Sequence, residues 1–143
     1  MAGTFELREH TADVAVEAVG ETVGDTFAAV ADGLAAAMCD SWPGAEDPKG
    51  GGHSELSLTA EGPEAALFDY LDQLIYERDV RSVLPVDNEA TVTHQDGEWH
   101  VEASYRGVPL GAVTAREVKA VTYSEMEITR TDAGWKIYVV FDV

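Results

Sequence analysis

The sequence has 143 residues, 45% of them hydrophobic, and its 27 Asp and Glu against 9 Lys and Arg give a formal net charge of −18. This length suits one domain with a packed core, and the composition excludes disorder over most of the chain. Because nucleic acids and anionic membranes are both bound through clustered basic side chains, the charge argues against direct binding to either. It favours hard cations and a basic partner protein.

The cysteine content and the N-terminal sequence point to the cytoplasm. Cys39 is the one cysteine of the sequence, so no internal disulfide can form, as is typical of a reducing compartment. The sequence begins with no basic segment followed by an apolar run, so no signal peptide is predicted. No apolar stretch approaches the ~20 residues of a membrane span. We expect a cytoplasmic single domain over residues 1–143, with its oligomeric state left open.

Alternation of apolar and polar residues predicts the strands. Residues 5–8 and 13–19 are expected to be extended, the second because the apolar side chains of residues 14, 16 and 18 share one face. The same alternation predicts further strands at residues 54–61, 89–95, 98–106, 118–130 and 134–143. Asp96-Gly97 is a hairpin signal, and Thr131-Asp132-Ala133-Gly134 predicts a second hairpin. The connections are therefore expected to be mostly antiparallel.

Two segments have the apolar spacing of a helix. Thr22 followed by Asp25 forms a capping box ahead of an apolar stripe that extends to Met38. Gly62-Pro63-Glu64 starts a second helix with proline in its first turn, and the apolar face continues to about Arg78. Two helices and about six strands predict an α+β antiparallel sandwich with both helices packed on one sheet face.

A few oxygen-bearing residues could hold a cation. His10-Thr11-Ala12-Asp13 stands at the start of a predicted strand, and Asp142 is near the end of the last one. The side chain and carbonyl of Asp142, with the carboxylate of Val143, are oxygen ligands of the kind that Ca²⁺ and Mg²⁺ prefer. Nothing in the sequence shows that the first and last strands are neighbours. Two solvated aspartates at strand ends are therefore the simpler interpretation of the residues alone.

No motif of a self-sufficient enzyme is present. The four histidines form no HExxH pair, Gly50-Gly51-Gly52 lacks a phosphate-binding context, and no GxSxG elbow occurs. Cys39 falls at a helix end, where the helix dipole disfavours the thiolate. Lys119 is unusual among so many acids, although an exposed ion pair with a glutamate, which adds only ~0–1 kcal/mol, would explain it. An enzyme in its own right is therefore disfavoured.

Three segments together resemble the archease family. They are His10-Thr11-Ala12-Asp13-Val14, Val118-Lys119-Ala120-Val121-Thr122-Tyr123 and the closing Val139-Val140-Phe141-Asp142-Val143. Residues 26–38 and 67–76 are similar to the family's two helices, so the resemblance covers essentially the whole chain in order. One departure follows the second motif, where Ser124 stands in place of the histidine that the family commonly has.

The resemblance implies a function in RNA ligation. Archeases are accessory proteins of the guanylylating RNA-splicing ligase, which joins 2′,3′-cyclic-phosphate or 3′-phosphate RNA ends to 5′-hydroxyl ends in tRNA splicing and RNA repair. They promote guanylylation of the ligase and its multiple turnover. An older proposal for the family, and the alternative here, is a chaperone-like modulator of RNA-modifying enzymes with no metal role.

The resemblance also implies a metal site. The family binds a divalent cation, usually Ca²⁺ with Mg²⁺ or Mn²⁺ as alternatives, through positions that are Asp13, Asp142 and Val143 in this sequence. His10 and Lys119 match family positions too, and they are candidates for partner contact or for support of the site. We therefore expect a protein cofactor that serves an RNA ligase without binding RNA itself.

Overall fold

A computed structural model of the chain describes residues 3–10 and 13–143, with the backbone alone at residues 8–10. In these ranges the chain forms seven strands, two α-helices and a short 3-10 helix at Leu110–Ala112. The helices are α1 (Val23–Met38) and α2 (Pro63–Arg81). The strands are β1 (Thr4–His10), β2 (Asp13–Gly20), β3 (Gly52–Ala60), β4 (Val83–Gln95), β5 (Glu98–Pro109), β6 (Ala120–Thr131) and β7 (Gly134–Asp142).

The strands form two antiparallel sheets, ordered β1-β2-β7-β6 and β3-β5-β4. The predicted α+β antiparallel class is confirmed, with seven strands in the described chain where about six are predicted. Each helix contacts strands of both sheets, α1 chiefly β4 and β2, and α2 chiefly β6 and β3. Each helix therefore packs against both sheets, whereas the sequence pattern predicts packing on a single sheet face. Neither helix of the described chain is long and apolar enough to cross a membrane.

The apolar faces predicted from spacing form the core. In β7, Ile137, Val139 and Phe141 are fully buried. The apolar face predicted from the helical spacing of α2 is buried, and it includes Leu67, Leu71, Leu74 and Ile75. Because burying one such side chain stabilises the fold by ~1.5–3 kcal/mol, these faces are what hold the helices against the sheets.

Both ends of α1 are capped by side chains. Thr22 Oγ1 accepts a hydrogen bond from the Asp25 amide at 3.0 Å, which confirms the predicted capping. At the other end, the guanidinium of Arg116 donates to the carbonyls of Ala37 at 3.1 Å and Ala36 at 3.2 Å. A basic side chain in this place also suits the negative end of the helix dipole.

Two segments are more regular than their composition indicates. α2 continues to Arg81, into residues 79–85 that are predicted to be a connector, and β4 follows almost at once. Ser82 makes this sharp change of direction, because its left-handed φ of 55° ends the helix. β5 likewise continues to Pro109, inside residues 107–115 that are expected to be irregular.

A buried carboxylate ties α2 to β5. Glu77 is only 5% exposed, and its Oε1 accepts a hydrogen bond from the Tyr105 hydroxyl at 2.7 Å. Arg81 Nε lies 3.2 Å from Glu77 Oε1, and Gln73 Nε2 donates to Oε2 at 3.2 Å. Burial, together with the hydrogen bond to Glu77, raises the pKa of Tyr105 to about 12. The tyrosine therefore remains a donor at neutral pH.

We expect Tyr105→Phe to lower the free energy of unfolding by ~1.5–3 kcal/mol at neutral pH, because it removes a hydrogen bond to a buried charged group. The folded-state pKa of Tyr105 is raised from 10.0 to about 12, so its contribution is complete below pH 10 and is lost as the pH rises through that interval. Urea unfolding over a pH series measures both effects. Tyr76→Phe, at a 55% exposed position, is the matched control. Equal stability of Tyr105→Phe and wild type at neutral pH would contradict this account.

Candidate functional site

The tertiary structure brings the first and last candidate residues together. β2 pairs with β7, and the register places Asp13 directly opposite Asp142. Opposed residues in an antiparallel pair project from the same face, with Cβ atoms ~4.5–5.5 Å apart. The two aspartates therefore lie side by side at one end of the four-stranded sheet, next to Val143. We name these three residues the acidic tip.

The two strands that flank β2 and β7 place one further residue each in register with the acidic tip. His10 of β1 pairs with Asp13, and Ala120 of β6 pairs with Asp142. The backbone of His10 is thus in register with the acidic tip. The side chain of His10 and residues 11–12 of the motif lie outside the described residues, so the proposed role of His10 stays a prediction.

The oxygens of the acidic tip differ in exposure. Asp13 is half-buried, with Oδ1 out of contact with solvent, whereas Asp142 and Val143 are exposed. The main-chain oxygen of Asp142 accepts a hydrogen bond from the Lys119 amide at 2.8 Å. One of its two lone pairs is therefore already in use, and the exposed carboxylate of Asp142 is the more available ligand.

Lys119 lies beside the acidic tip because of this amide contact. Its side chain is exposed, and among the side chains that the structure describes it has no ion-pair partner. The surface ion pair that would explain a lone lysine is thus not formed with any described acid. The exposed side chain of Lys119 therefore remains available to a partner molecule.

Arg78 of α2 positions the segment that precedes β6. Its Nη1 donates to the Val118 carbonyl at 2.6 Å and to Met38 Sδ at 3.2 Å, and its side chain is 11% exposed. The next residue, Lys119, donates its amide to Asp142. Hydrogen bonds therefore connect α2 to the acidic tip. No sequence motif marks this arginine, because its partner is a main-chain oxygen remote in sequence.

Ser124 is not part of the acidic tip, and it lies four residues beyond Ala120, which pairs with Asp142. It is exposed, and its amide donates to Thr122 Oγ1 at 3.2 Å. It stands where the pairing of β6 with β7 shifts register, between Thr122 and Glu127. The departure from the family's usual histidine therefore affects the surface of β6 and leaves the paired aspartates in place.

The donor set fits part of the coordination shell of a hard divalent cation. Ca²⁺ takes ~6–8 oxygen ligands, and Asp13 and Asp142 supply two carboxylates on one face. No cluster of three or more His, Cys, Asp or Glu side chains in the described ranges could hold a metal ion. The remaining ligands would have to be main-chain oxygens of Val143, water or groups of a partner. Opposed like charges also destabilise a strand pair, and a cation between them would offset that repulsion.

Comparisons with known proteins give the family. The Archease protein family matches residues 5–143. The chain belongs to the archease family. The protein archease of Methanosarcina mazei is 33% identical over 143 residues, which cover 97% of this chain and 95% of that protein. The protein archease of Pyrococcus furiosus is 27% identical, over 97% of this chain and 98% of its own.

Solved structures share the fold. The solution structure of a Methanobacterium thermoautotrophicum protein matches with a TM-score of 0.80 at 26% identity, over 97% of this archease-family chain and 98% of its own. The crystal structure of an archease from Thermotoga maritima, described as a possible chaperone, matches with a TM-score of 0.61 at 22% identity, over 96% of each chain. The second likeness is evidence for the fold alone. The resemblance stated from three motifs is confirmed.

We expect Arg78→Met to lower the free energy of unfolding by ~1.5–3 kcal/mol, because it removes a charged donor from a nearly buried carbonyl. The loosened segment should also let the Lys119 amide exchange faster with solvent, as measured by hydrogen exchange. Arg130→Met is the control, since that guanidinium lies over the Trp135 ring at the far hairpin, 5.6 Å from its centroid. Unchanged exchange at Lys119 in Arg78→Met would disprove the connection between α2 and the acidic tip.

Proposed function

We propose that this chain is an accessory protein of the guanylylating RNA-splicing ligase, and that it promotes ligase guanylylation and multiple turnover through a divalent cation held at the acidic tip. The observation that supports the proposal is the register of Asp13 with Asp142. It unites the first and the last motif of the family resemblance in one place. The link to the ligase comes from the archease family and not from the geometry.

Each residue of the acidic tip has its own part in this proposal. Asp13 and Asp142 hold the cation through their carboxylates, and Val143 adds main-chain oxygens. The bound cation, Ca²⁺ or alternatively Mg²⁺ or Mn²⁺, supplies positive charge for phosphate oxygens. Because both aspartates are on paired strands, their separation is fixed by the sheet, which positions ligands more exactly than a loop does.

The charge and exposure of the chain suit such a partner. An enzyme that handles RNA phosphates and a nucleotide is expected to be basic, and a net charge of −18 favours rapid encounter with it. Asp142 and Val143 are exposed at the end of a sheet, where they can approach the active site of another protein. Lys119, exposed next to them, is a candidate contact for a phosphate or a carboxylate of the complex, and His10 is a second candidate by its register. RNA is bound by the ligase in this proposal.

The alternative function is a chaperone-like or modulator module for RNA-modifying enzymes, with no metal role. The Thermotoga maritima structure is described as a possible chaperone. The two proposals differ in what they require of the acidic tip. A chaperone-like module would act on its partner equally well without Asp13 and Asp142.

We expect Asp13→Asn and Asp142→Asn to lower stimulated multiple-turnover ligation by the cognate ligase at least ~10-fold, because even residues that only support metal ligands cost ~10–100-fold when lost. Asp132→Asn is the matched control, since it removes the same charge from an exposed turn at the other end of the same sheet. Full stimulation by both folded tip variants would exclude the metal mechanism and favour the chaperone-like module.

A calcium titration tests the site independently of the ligase. We expect Ca²⁺ to raise the melting temperature of the wild type, since a ligand that binds only the folded state stabilises it. Asp142→Asn should lose this rise, and without Ca²⁺ it should be more stable than the wild type by ~0.2–1 kcal/mol, because a repulsive cross-strand pair is removed. Asp132→Asn should keep the response to Ca²⁺. An identical response in Asp142→Asn would show that the cation binds elsewhere.

A further inference from the structure

One exposed ridge of α2 mixes apolar and acidic side chains. Phe68, Asp72, Tyr76 and Val80 follow at four-residue intervals, so they lie in one row along the helix. Tyr76 is 55% exposed and Val80 is 61% exposed. Asp72 between them is also exposed. We name these four residues the α2 ridge; Phe68 at its N-terminal end is half-buried and packs against the core, whereas the other three are exposed.

Tyr123 of β6 widens the ridge at one end. Its ring stacks on Phe68, with centroids 4.2 Å apart and an interplanar angle of 9°, and the residue is 54% exposed. Tyr123 lies in the segment where β6 leaves its register with β7, between Thr122 and Glu127. An irregularity of this kind redirects side chains that a regular strand would keep on the sheet. An aromatic pair is therefore held at the surface by the fold.

The charge around these rings is negative. Asp69 and Asp72 are exposed on this side of α2. The two arginines in this part of α2 have other partners: Arg78 directs its guanidinium to Asp79 and to the Val118 carbonyl, and Arg81 pairs with Glu77. Neither arginine pairs with Asp69 or Asp72. Aromatic faces beside carboxylates suit an arginine, because a guanidinium stacks on a ring and pairs with a carboxylate at the same time.

The α2 ridge lies close to the acidic tip. Arg78, within the length of the ridge, bonds to the segment whose next residue, Lys119, donates to Asp142. At the other end of the ridge, Tyr123 is three residues beyond Ala120, which pairs with Asp142. One partner protein can therefore contact both surfaces.

We infer that the α2 ridge and Tyr123 form a docking surface for an arginine-bearing segment of the partner ligase. The inference rests on the proposed function, which supplies the identity of the partner. A second copy of the chain does not suit this surface, because two chains that each carry a net charge of −18 would bring acidic ridges together. The ridge thus provides affinity for the ligase, and the acidic tip provides the stimulation.

The test measures the affinity for the cognate ligase separately from the maximal stimulation of ligation. We expect the double variant Tyr76→Ala, Val80→Ser to raise the Kd for the ligase ~10–100-fold, as the loss of aromatic anchors does in other interfaces. Asp72→Lys should weaken binding at least as much, and its effect should shrink at high salt because screening reduces charge repulsion. Val19→Ser, at a 46% exposed apolar position at the far end of β2, is the matched control.

The dependence of ligation on chain concentration then distinguishes the two surfaces. The ridge variants should need a higher concentration for half-maximal stimulation and still reach the wild-type maximum, whereas the tip variants should lower the maximum. Suppose that the wild type binds and stimulates the ligase, and that the ridge variants bind it as tightly as Val19→Ser does. This result would overturn the docking surface and would leave the proposed function standing. A wild type that neither binds nor stimulates the ligase would overturn both. If a ridge variant changes the oligomeric state of the free chain, as measured by sedimentation, the ridge binds a second copy of the chain and the inference of a ligase docking surface is wrong.

Discussion

The antiparallel pairing of β2 with β7 is the constraint on which the rest of the structure depends. It joins the two ends of the chain in the middle of the four-stranded sheet, with β1 and β6 added at the edges. The same pairing lines up the buried residues Val16 and Val139, which face the core beneath α1. Since side chains alternate between faces, the register that buries these residues also fixes Asp13 beside Asp142 on the other face. The hydrogen bonds between β2 and β7 therefore determine both the position of these core residues and the position of the acidic tip.

Three of the scarce basic residues hold distant parts of the fold together. Arg116 bonds to carbonyls at the end of α1, and Arg78 bonds to the strand segment before β6. Arg106 donates to the carbonyls of Pro43 at 2.8 Å and Gly50 at 2.6 Å, which ties the loop between α1 and β3 to β5. With these guanidinium groups bonded to main-chain oxygens of the fold, the acids dominate the surface. An exposed lysine beside the acidic tip is therefore a better indicator of function here than it would be in a protein of balanced charge.

In the proposed function, the acidic tip and the α2 ridge divide activation and binding of the partner between two neighbouring surfaces. The tip offers few contacts, only carboxylates and main-chain oxygens at the end of a sheet, and a surface of that kind contributes little apolar area to an interface. Aromatic side chains, which carry much of the affinity in protein interfaces, stand instead on α2 and at Tyr123. Ser124 directly follows Tyr123, so the departure from the family motif lies next to the proposed docking surface.

The sequence by itself determined the local features of this protein. Helical spacing predicted the buried face of α2, alternation predicted the buried residues of β5 and β7, and the Thr22 cap of α1 was predicted from a hydroxyl and an acid three residues apart. These features depend on neighbours along the chain. The motif resemblance named the aspartates of the candidate site, but residue spacing alone left Asp13 and Asp142 as two separate solvated acids.

Only the tertiary structure decided which distant segments meet. The division into two sheets, the pairing of Asp13 with Asp142, the contact of Arg78 with Val118 and the stack of Phe68 on Tyr123 all join residues remote in sequence. No local pattern encodes them, because strand order depends on which complementary faces can be buried together once the helices are in place. The site is built from such long-range neighbours, so its geometry follows from the packing of the whole chain.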